Sequence, residues 1–471
     1  MTAYDDLKRE LARGWNTWNT RSVLSHVLLP EGFALNLGFK EYRRRLYLDE
    51  ALIGRRGEHD AQILPGPRTY DGTYTELTLT WRGVEALIQT AALGSDNEEL
   101  VILITPNHGQ RMTPLFVVES ALLWGRPGNI YREGNRLIGE LPERTIEVYG
   151  TWRNGADPYI PATTPYLSMP LDRIIGVSAG RRRSIAEIRA ILEARKAEHQ
   201  ANVQSFGRLS EVYAAIQTCM AWDTIYEPEG DRVVSPVSRI WNVNWGGFVL
   251  FDWDTYFAAY LAGIDNRELA YANAIEITRE RTERGFIPNF GTVRNIKSRD
   301  RSQPPVGSLV VRELYRKYGD RWFLEEVFED LLTWNRWWDH SRACEGGLCW
   351  GSNPYTPLAD AHFEIQSVNS SRGAALESGL DNSPMYDDIP FDEETHTMAL
   401  VDVGLMGMYC MDCDALAQIA EVLERDEIAG ELRERAARYR RLLQALWHEP
   451  TGLFLNRRTD TGEFTTRLSP T

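Results

Sequence analysis

The densest chemistry in the sequence is the run Leu376-Glu377-Ser378-Gly379-Leu380-Asp381-Asn382-Ser383-Pro384-Met385-Tyr386-Asp387-Asp388, which lies outside any apolar period. Carboxylates packed this closely do not all ionise easily, so one of them keeps a proton near neutral pH. A carboxylic acid of that kind can protonate a leaving oxygen, as cleavage of a glycosidic bond requires. The same run also reads as a solvated acidic loop, or as oxygen ligands for calcium. It has no spaced D-x-D-x-D-G ladder, and no metal is expected.

A second concentration is Phe251-Asp252-Trp253-Asp254-Thr255-Tyr256-Phe257, where acids and aromatics alternate as a helix begins. In one reading Asp254 caps that helix while Trp253 and Phe257 staple it. In the other, Asp254 accepts hydrogen bonds from sugar hydroxyls beside a stacked Trp253. Between the two runs, Phe286-Ile287-Pro288-Asn289-Phe290 and Ser302-Gln303-Pro304-Pro305 flank a polar loop. Ten of the fifteen tryptophans fall between Trp222 and Trp447, several of them in polar segments. Their placement singles out Trp241, Trp245 and Trp350, with Tyr386, as further aromatic surfaces for a sugar.

Other motifs carry less. Gly176-Val177-Ser178-Ala179-Gly180 matches a nucleophile elbow, but the next helix cap is Ser184, too late to place the serine on a helix N-terminus. Cys410 and Cys413 sit among Met408, Met411 and Leu416 and read as core residues of one helix. No P-loop, HExxH or dinucleotide fingerprint appears, so no cofactor is expected.

The elements that must hold these residues change character near residue 180. Before it, period-two runs such as Phe33-Leu35-Leu37-Phe39 and Leu77-Leu79-Trp81 are separated by turns such as Gly94-Ser95-Asp96-Asn97. They predict an antiparallel β-sandwich domain over residues 1–180. Ser184-Ile185-Ala186-Glu187 is a capping-box pattern, and it opens a linker helix within 181–205. From 206 to 471 the period is helical, with about seven helices broken by irregular stretches at 285–306 and 341–392. Loops that long in a compact domain are usually functional.

With 52 basic against 67 acidic residues the net charge is −15, which disfavours a nucleic-acid partner. No apolar run is long enough to span a membrane, and the start at Met1 lacks a signal-peptide pattern. Five cysteines, an odd and low count, predict free thiols and a cytoplasmic location.

At Trp253-Asp254 with Phe257, Gln303-Pro304-Pro305 and above all Glu377-Ser378-Gly379-Leu380-Asp381-Asn382-Ser383-Pro384, the sequence resembles glycoside hydrolase family 63. That family includes processing α-glucosidase and the mannosylglycerate and glucosylglycerate hydrolases. The trehalases of family 37 are more distantly similar. The resemblance implies an (α/α)6 toroid behind the sandwich, a carbohydrate substrate, and cleavage of an α-glucoside or α-mannoside with inversion. Asp381 would be the general acid, while Asp254, Trp253, Phe257, Gln303, Glu377, Asn382 and Asp387 would line the sugar site. The expected second carboxylate, a base, has no counterpart in the sequence read this way; Glu377, Asp252 and Asp387 are the alternatives. About seven of twelve expected helices are present, so the toroid is expected to be incomplete and the sequence to be truncated at its C-terminus. A non-catalytic glycan-binding fragment is the alternative reading. A glycerate aglycone would call on Arg294, Lys297, Arg299 or Arg301 to meet its carboxylate.

Overall fold

The computed structural model describes residues 2–53, 61–107, 113–152, 155, 157–242, 245, 247–292, 295–355 and 365–468. The chain divides into two compact units, Met1–Ser235 and Pro236–Thr471.

The first unit opens with a helix that the sequence reading did not anticipate, α1 (Ala3–Leu11), held by a capping box between Thr2 and Asp5. Two antiparallel sheets follow. One orders its strands Gly14–Asn16, Ser25–Leu29, Phe33–Glu41, Leu115–Leu122, Tyr166–Pro170, with Leu46–Leu48 also on the Phe33 strand. The other runs Asn129–Glu133, Arg136–Glu140, Thr145–Gly150, Ile175–Ala179, Glu99–Pro106, Val84–Leu93, Tyr74–Trp81, Gln62–Arg68. The period-two residues do what the alternation requires. Phe33, Leu35, Leu37 and Phe39 from one sheet meet Leu77, Leu79 and Trp81 from the other in a single apolar core.

Ser184 caps α2 (Ile185–Ser205) as its box pattern dictates. Rather than only leading away from the sheets, α2 buries Ile188 and Leu192 against Tyr74, Val101 and Leu103. The next helix, α3 (Ser210–Asp223), also belongs to this unit, whereas the sequence placed everything from 206 in the helical domain. The reason is Trp222, which joins the sandwich core and donates its indole N–H to the Gly66 carbonyl at 2.7 Å. Helical periodicity reports that a helix exists; it does not say which core the helix joins. Ser178 lies mid-strand and buried, so the elbow pattern has no helix behind it.

The described helices of the second unit are α4 (Asp252–Ala262), α5 (Arg267–Arg279), α6 (Gly307–Tyr318), α7 (Arg321–Ser341), α8 (Ser371–Glu377), α9 (Val403–Val422) and α10 (Asp426–Gln444). Their core is aromatic. Tyr256 of α4 stacks on Trp334 of α7, and Tyr271 of α5 on Phe323. Asp412 on α9 accepts from the Asn335 side chain on α7 at 2.7 Å and from the Ser308 N–H on α6, tying three helices together. Cys410 and Cys413 are buried free thiols on α9, in the core as read. The expectation of free thiols throughout fails elsewhere. Ala343–Cys344 pairs with Gly347–Leu348 in a tight hairpin, which brings Cys344 and Cys349 together as a disulfide. None of the described helices is long and apolar enough to cross a membrane.

Candidate active site

The acid-rich run is built around a short helix and a turn. Ser370 caps α8, and its last residue, Glu377, is wholly buried. Gly379 follows with φ of 71°, a left-handed conformation that ends the helix without a Cβ penalty. A Cβ at Gly379 would also overlap the Trp253 ring, so the glycine lets the acid-rich segment close onto α4. The Ser383 N–H then donates to the Leu380 carbonyl at 2.9 Å, closing a four-residue turn. Asp381 and Asn382 occupy its two central positions and are exposed.

Glu377 is where the surrounding loops meet. Arg342, at the end of α7 and also wholly buried, grips it with Nε to Oε2 at 2.6 Å and Nη2 to Oε1 at 2.8 Å. The backbone N–H groups of Ser302 (3.0 Å) and Gly351 (2.6 Å) complete its shell. Arg342 is fixed in turn by the Asn353 side chain at 3.1 Å and by the Trp337 ring beneath it. The 285–306 loop is anchored beside it. Asp300 accepts from the Ser352 hydroxyl at 2.7 Å and from the Arg301 guanidinium at 3.0 Å. Three segments distant in sequence therefore converge on one carboxylate.

On the other side, α4 begins at Asp252. Its N-cap residue is Phe251, whose side chain makes no capping bond, so Asp254 is not the cap but lies in the first turn. The first helical turn welcomes negative charge. Burial nevertheless raises the Asp254 pKa; its own backbone N–H opposes the rise, and the charge of Asp381 adds to it. The Asp381 pKa is raised as well, by desolvation, against the pull of its own backbone N–H and of Arg301 and Arg372. The charge of Asp381 thus reaches Asp254. Asp252 is different: fully buried and raised well above the ordinary range by desolvation, it faces the Ser302 hydroxyl at 3.5 Å. Ser302 is held from behind by the Trp334 indole N–H at 2.9 Å.

This geometry falls inside a recognisable stretch. Residues 248–470 match the family described as the mannosylglycerate hydrolase MGH1-like glycoside hydrolase domain. That stretch, just under half of the chain, is similar to a glycoside hydrolase domain. Among solved structures, a family 63 mannosylglycerate hydrolase from Thermus thermophilus, in complex with Tris, is 20% identical with a TM-score of 0.36. That match covers 46% of this chain and 63% of the other, so this chain spans less than two thirds of its length. A bacterial glucoamylase complexed with acarbose is 11% identical with a TM-score of 0.45, covering 92% of this chain and 67% of the other. No curated protein matches.

Within the second unit the sequence-predicted residues separate into groups. The turn that carries Asp381 packs through Gly379 on the Trp253 ring, and the charge of Asp381 reaches Asp254. Asn382 is beside Asp381 on the turn, and Phe257 stands 41% exposed one helical turn from Trp253, ring centres 6.0 Å apart. Trp241 and Trp245 belong to a ring cluster on the short pair Leu250–Phe251 and Phe290–Gly291. Trp245 stacks on Phe290 at 4.9 Å, and Trp241, half exposed, meets Phe251 edge-on.

Other residues do not present themselves to a ligand. Glu377 has both oxygens committed to protein donors and can serve neither as base nor as sugar contact. Burial likewise removes Asp252 as a base. Trp350 and Tyr386 are buried too, Trp350 edge-on against Trp338. Asp402, which caps α9 by accepting from the Leu405 N–H, adds to the raised pKa of Tyr386, while Trp350 opposes the rise at Asp402 that burial causes. Asp387 is exposed but lies 3.4 Å from Arg467. Gln303 is buried, its backbone N–H supporting Asp252.

Of the cations expected to meet a glycerate, Lys297 pairs with Glu280 (2.8 Å), Arg299 with Glu283 (4.0 Å) and Arg301 with Asp300 (3.0 Å). Arg294 lies outside the described residues. Arg342 is the residue sequence reasoning missed. It sits 35 positions before Glu377 at the end of a helix, and no local pattern announces the pairing.

Proposed function

We propose that the second unit cleaves an α-glucoside or α-mannoside by the inverting route, with Asp381 as general acid. What supports this reading is that Asp381 stands at the exposed tip of a turn whose Gly379 packs against the Trp253 ring, and that its charge helps to raise the pKa of Asp254. An acid so placed holds its proton to higher pH than a free aspartate and delivers it to the bridging oxygen as the anomeric C–O bond breaks. Water attacks the opposite face of the sugar, and its proton passes to a second carboxylate about 6.5–9.5 Å from the acid in enzymes of this type. That base is not among the residues assigned here. Asp254 binds hydroxyls of the reacting sugar beside Trp253, with Asn382 and Phe257 at the margin, in an incomplete helical ring of the (α/α)6 kind.

Lys297, Arg299 and Arg301 already hold ion-pair partners, and the choice between a glycerate and a neutral aglycone is left to the test. The test incubates the protein with aryl α-glucosides and α-mannosides, and with both glycosylglycerates, and follows the anomer released by proton NMR. Release of the β-anomer, lost in Asp381→Asn, supports the proposal; release of the α-anomer, or turnover that Asp381→Asn leaves intact, refutes it. Sugar binding without turnover in the unaltered protein would instead support the reading as a non-catalytic glycan binder.

A further inference from the structure

The first unit carries a cleft of about 660 Å³ that nothing above uses. Turns of the sandwich build it: Glu31 follows the Ser25–Leu29 strand, Arg126 follows Leu115–Leu122, and Arg144 follows Arg136–Glu140. Asp231, from the hairpin of Ile225–Glu227 with Arg232–Val234, joins them, and α1 contributes Arg9. Loops gathered on a rigid sandwich are a usual place for recognition, and the volume lies within the ~300–1,000 Å³ of small-ligand sites.

The lining charges narrow the ligand. Four guanidinium groups face four carboxylates, so the cleft has no net field to select an ion. Most of that charge is already paired: Arg13 meets Asp96 at 3.0 Å, and Arg144 grips Glu31. Among the described residues, Arg126 has no carboxylate within ion-pair distance and Glu143 has no cation within it. Arg126 is held in place by donating from Nη2 to the Tyr226 hydroxyl at 3.3 Å, which in turn donates to Asp231 at 2.6 Å. A guanidinium only donates and a carboxylate only accepts; a hydroxyl does both. An anion would satisfy Arg126 and be repelled by Glu143, and a cation the reverse. A molecule rich in hydroxyls satisfies both at once. Pro30, Pro127 and Pro142 supply rigid apolar surface for the C–H face of such a molecule.

We propose that this cleft binds a neutral oligosaccharide. Calorimetry on the full-length protein tests it with maltotriose and mannotriose as probes, in a Trp253→Ala/Asp254→Ala background that disables sugar contacts in the second unit. The expected result is one-to-one binding of at least one probe, weakened about tenfold or more by Arg126→Ala and by Glu143→Ala. Because the ligand is neutral, raising the salt leaves the affinity nearly unchanged. Circular dichroism melting curves matching the background's establish that each variant is folded. Absence of binding by both sugars in the folded background overturns the proposal. So does sugar binding that survives both substitutions, or binding of inorganic phosphate or glycine at this cleft in place of sugar.

Discussion

At Glu377 both carboxylate oxygens are consumed by four hydrogen bonds from Arg342, Ser302 and Gly351, whereas at Asp381, four residues on, the carboxyl stands at an exposed turn tip. The first region is a hub with nothing left to offer a ligand. The second has almost no protein partners and a raised pKa. Two acids of similar chemistry take opposite roles because the helix ends between them. Burial and saturation turn one into a fastener for three loops, and the turn leaves the other free to exchange its proton. A carboxylate's function is decided by which of its lone pairs the fold has already claimed.

That contrast can be broken at either end. Asp381→Asn should give the largest change, a fall in glycoside turnover of about 10²–10⁴-fold with an almost unchanged melting curve. A variant that melts much earlier would show that Asp381 supports the fold. Arg342→Ala should do the reverse of what a surface arginine does. It leaves Glu377 buried without its counter-charge and costs about 3–5 kcal/mol in denaturant unfolding of the second unit. A loss below about 1 kcal/mol, the range of exposed pairs, would mean that the hub is not closed to water.

Gly379→Ala adds a methyl group against the Trp253 ring at a left-handed φ, with an expected cost of roughly 1–3 kcal/mol. Altered Trp253 fluorescence should accompany it, and a silent substitution would contradict the close approach. The subtlest prediction concerns protons. The charge on Asp381 helps to raise the Asp254 pKa, so in Asp381→Asn the Asp254 carboxyl should titrate at lower pH than in the parent. Carbon-13 NMR of labelled aspartates reads this directly, and an unmoved titration would sever the pair.

The sequence carried those features whose signal is local. Alternation at Phe33–Phe39 and Leu77–Trp81 places side chains on one face, and the faces did meet in one core. The Ser184 box caps its helix because both of its bonds span three residues. Asp381 stood out because its neighbours are polar and its motif is contiguous. What stayed hidden was partnership at a distance. Nothing near Trp222 says that it packs on the sandwich, and nothing near Arg342 names Glu377. Trp350 and Tyr386 were read as surfaces from polar neighbours, yet a large ring in a polar segment can be the one residue of that segment that turns inward.

The crosslink between Cys344 and Cys349 has its consequence here. It spans a separation of five residues, so it excludes few conformations of the unfolded chain, and its entropic contribution sits at the low end of the ~0–5 kcal/mol range. Its effect falls on the folded state. Arg342 and Gly351, which grasp the same carboxylate from opposite ends of this excursion, are denied slack by a covalent clasp at its neck. A thiol reagent able to open that clasp would act at a distance on the turn bearing Asp381, by loosening the footing on which the preceding helix stands.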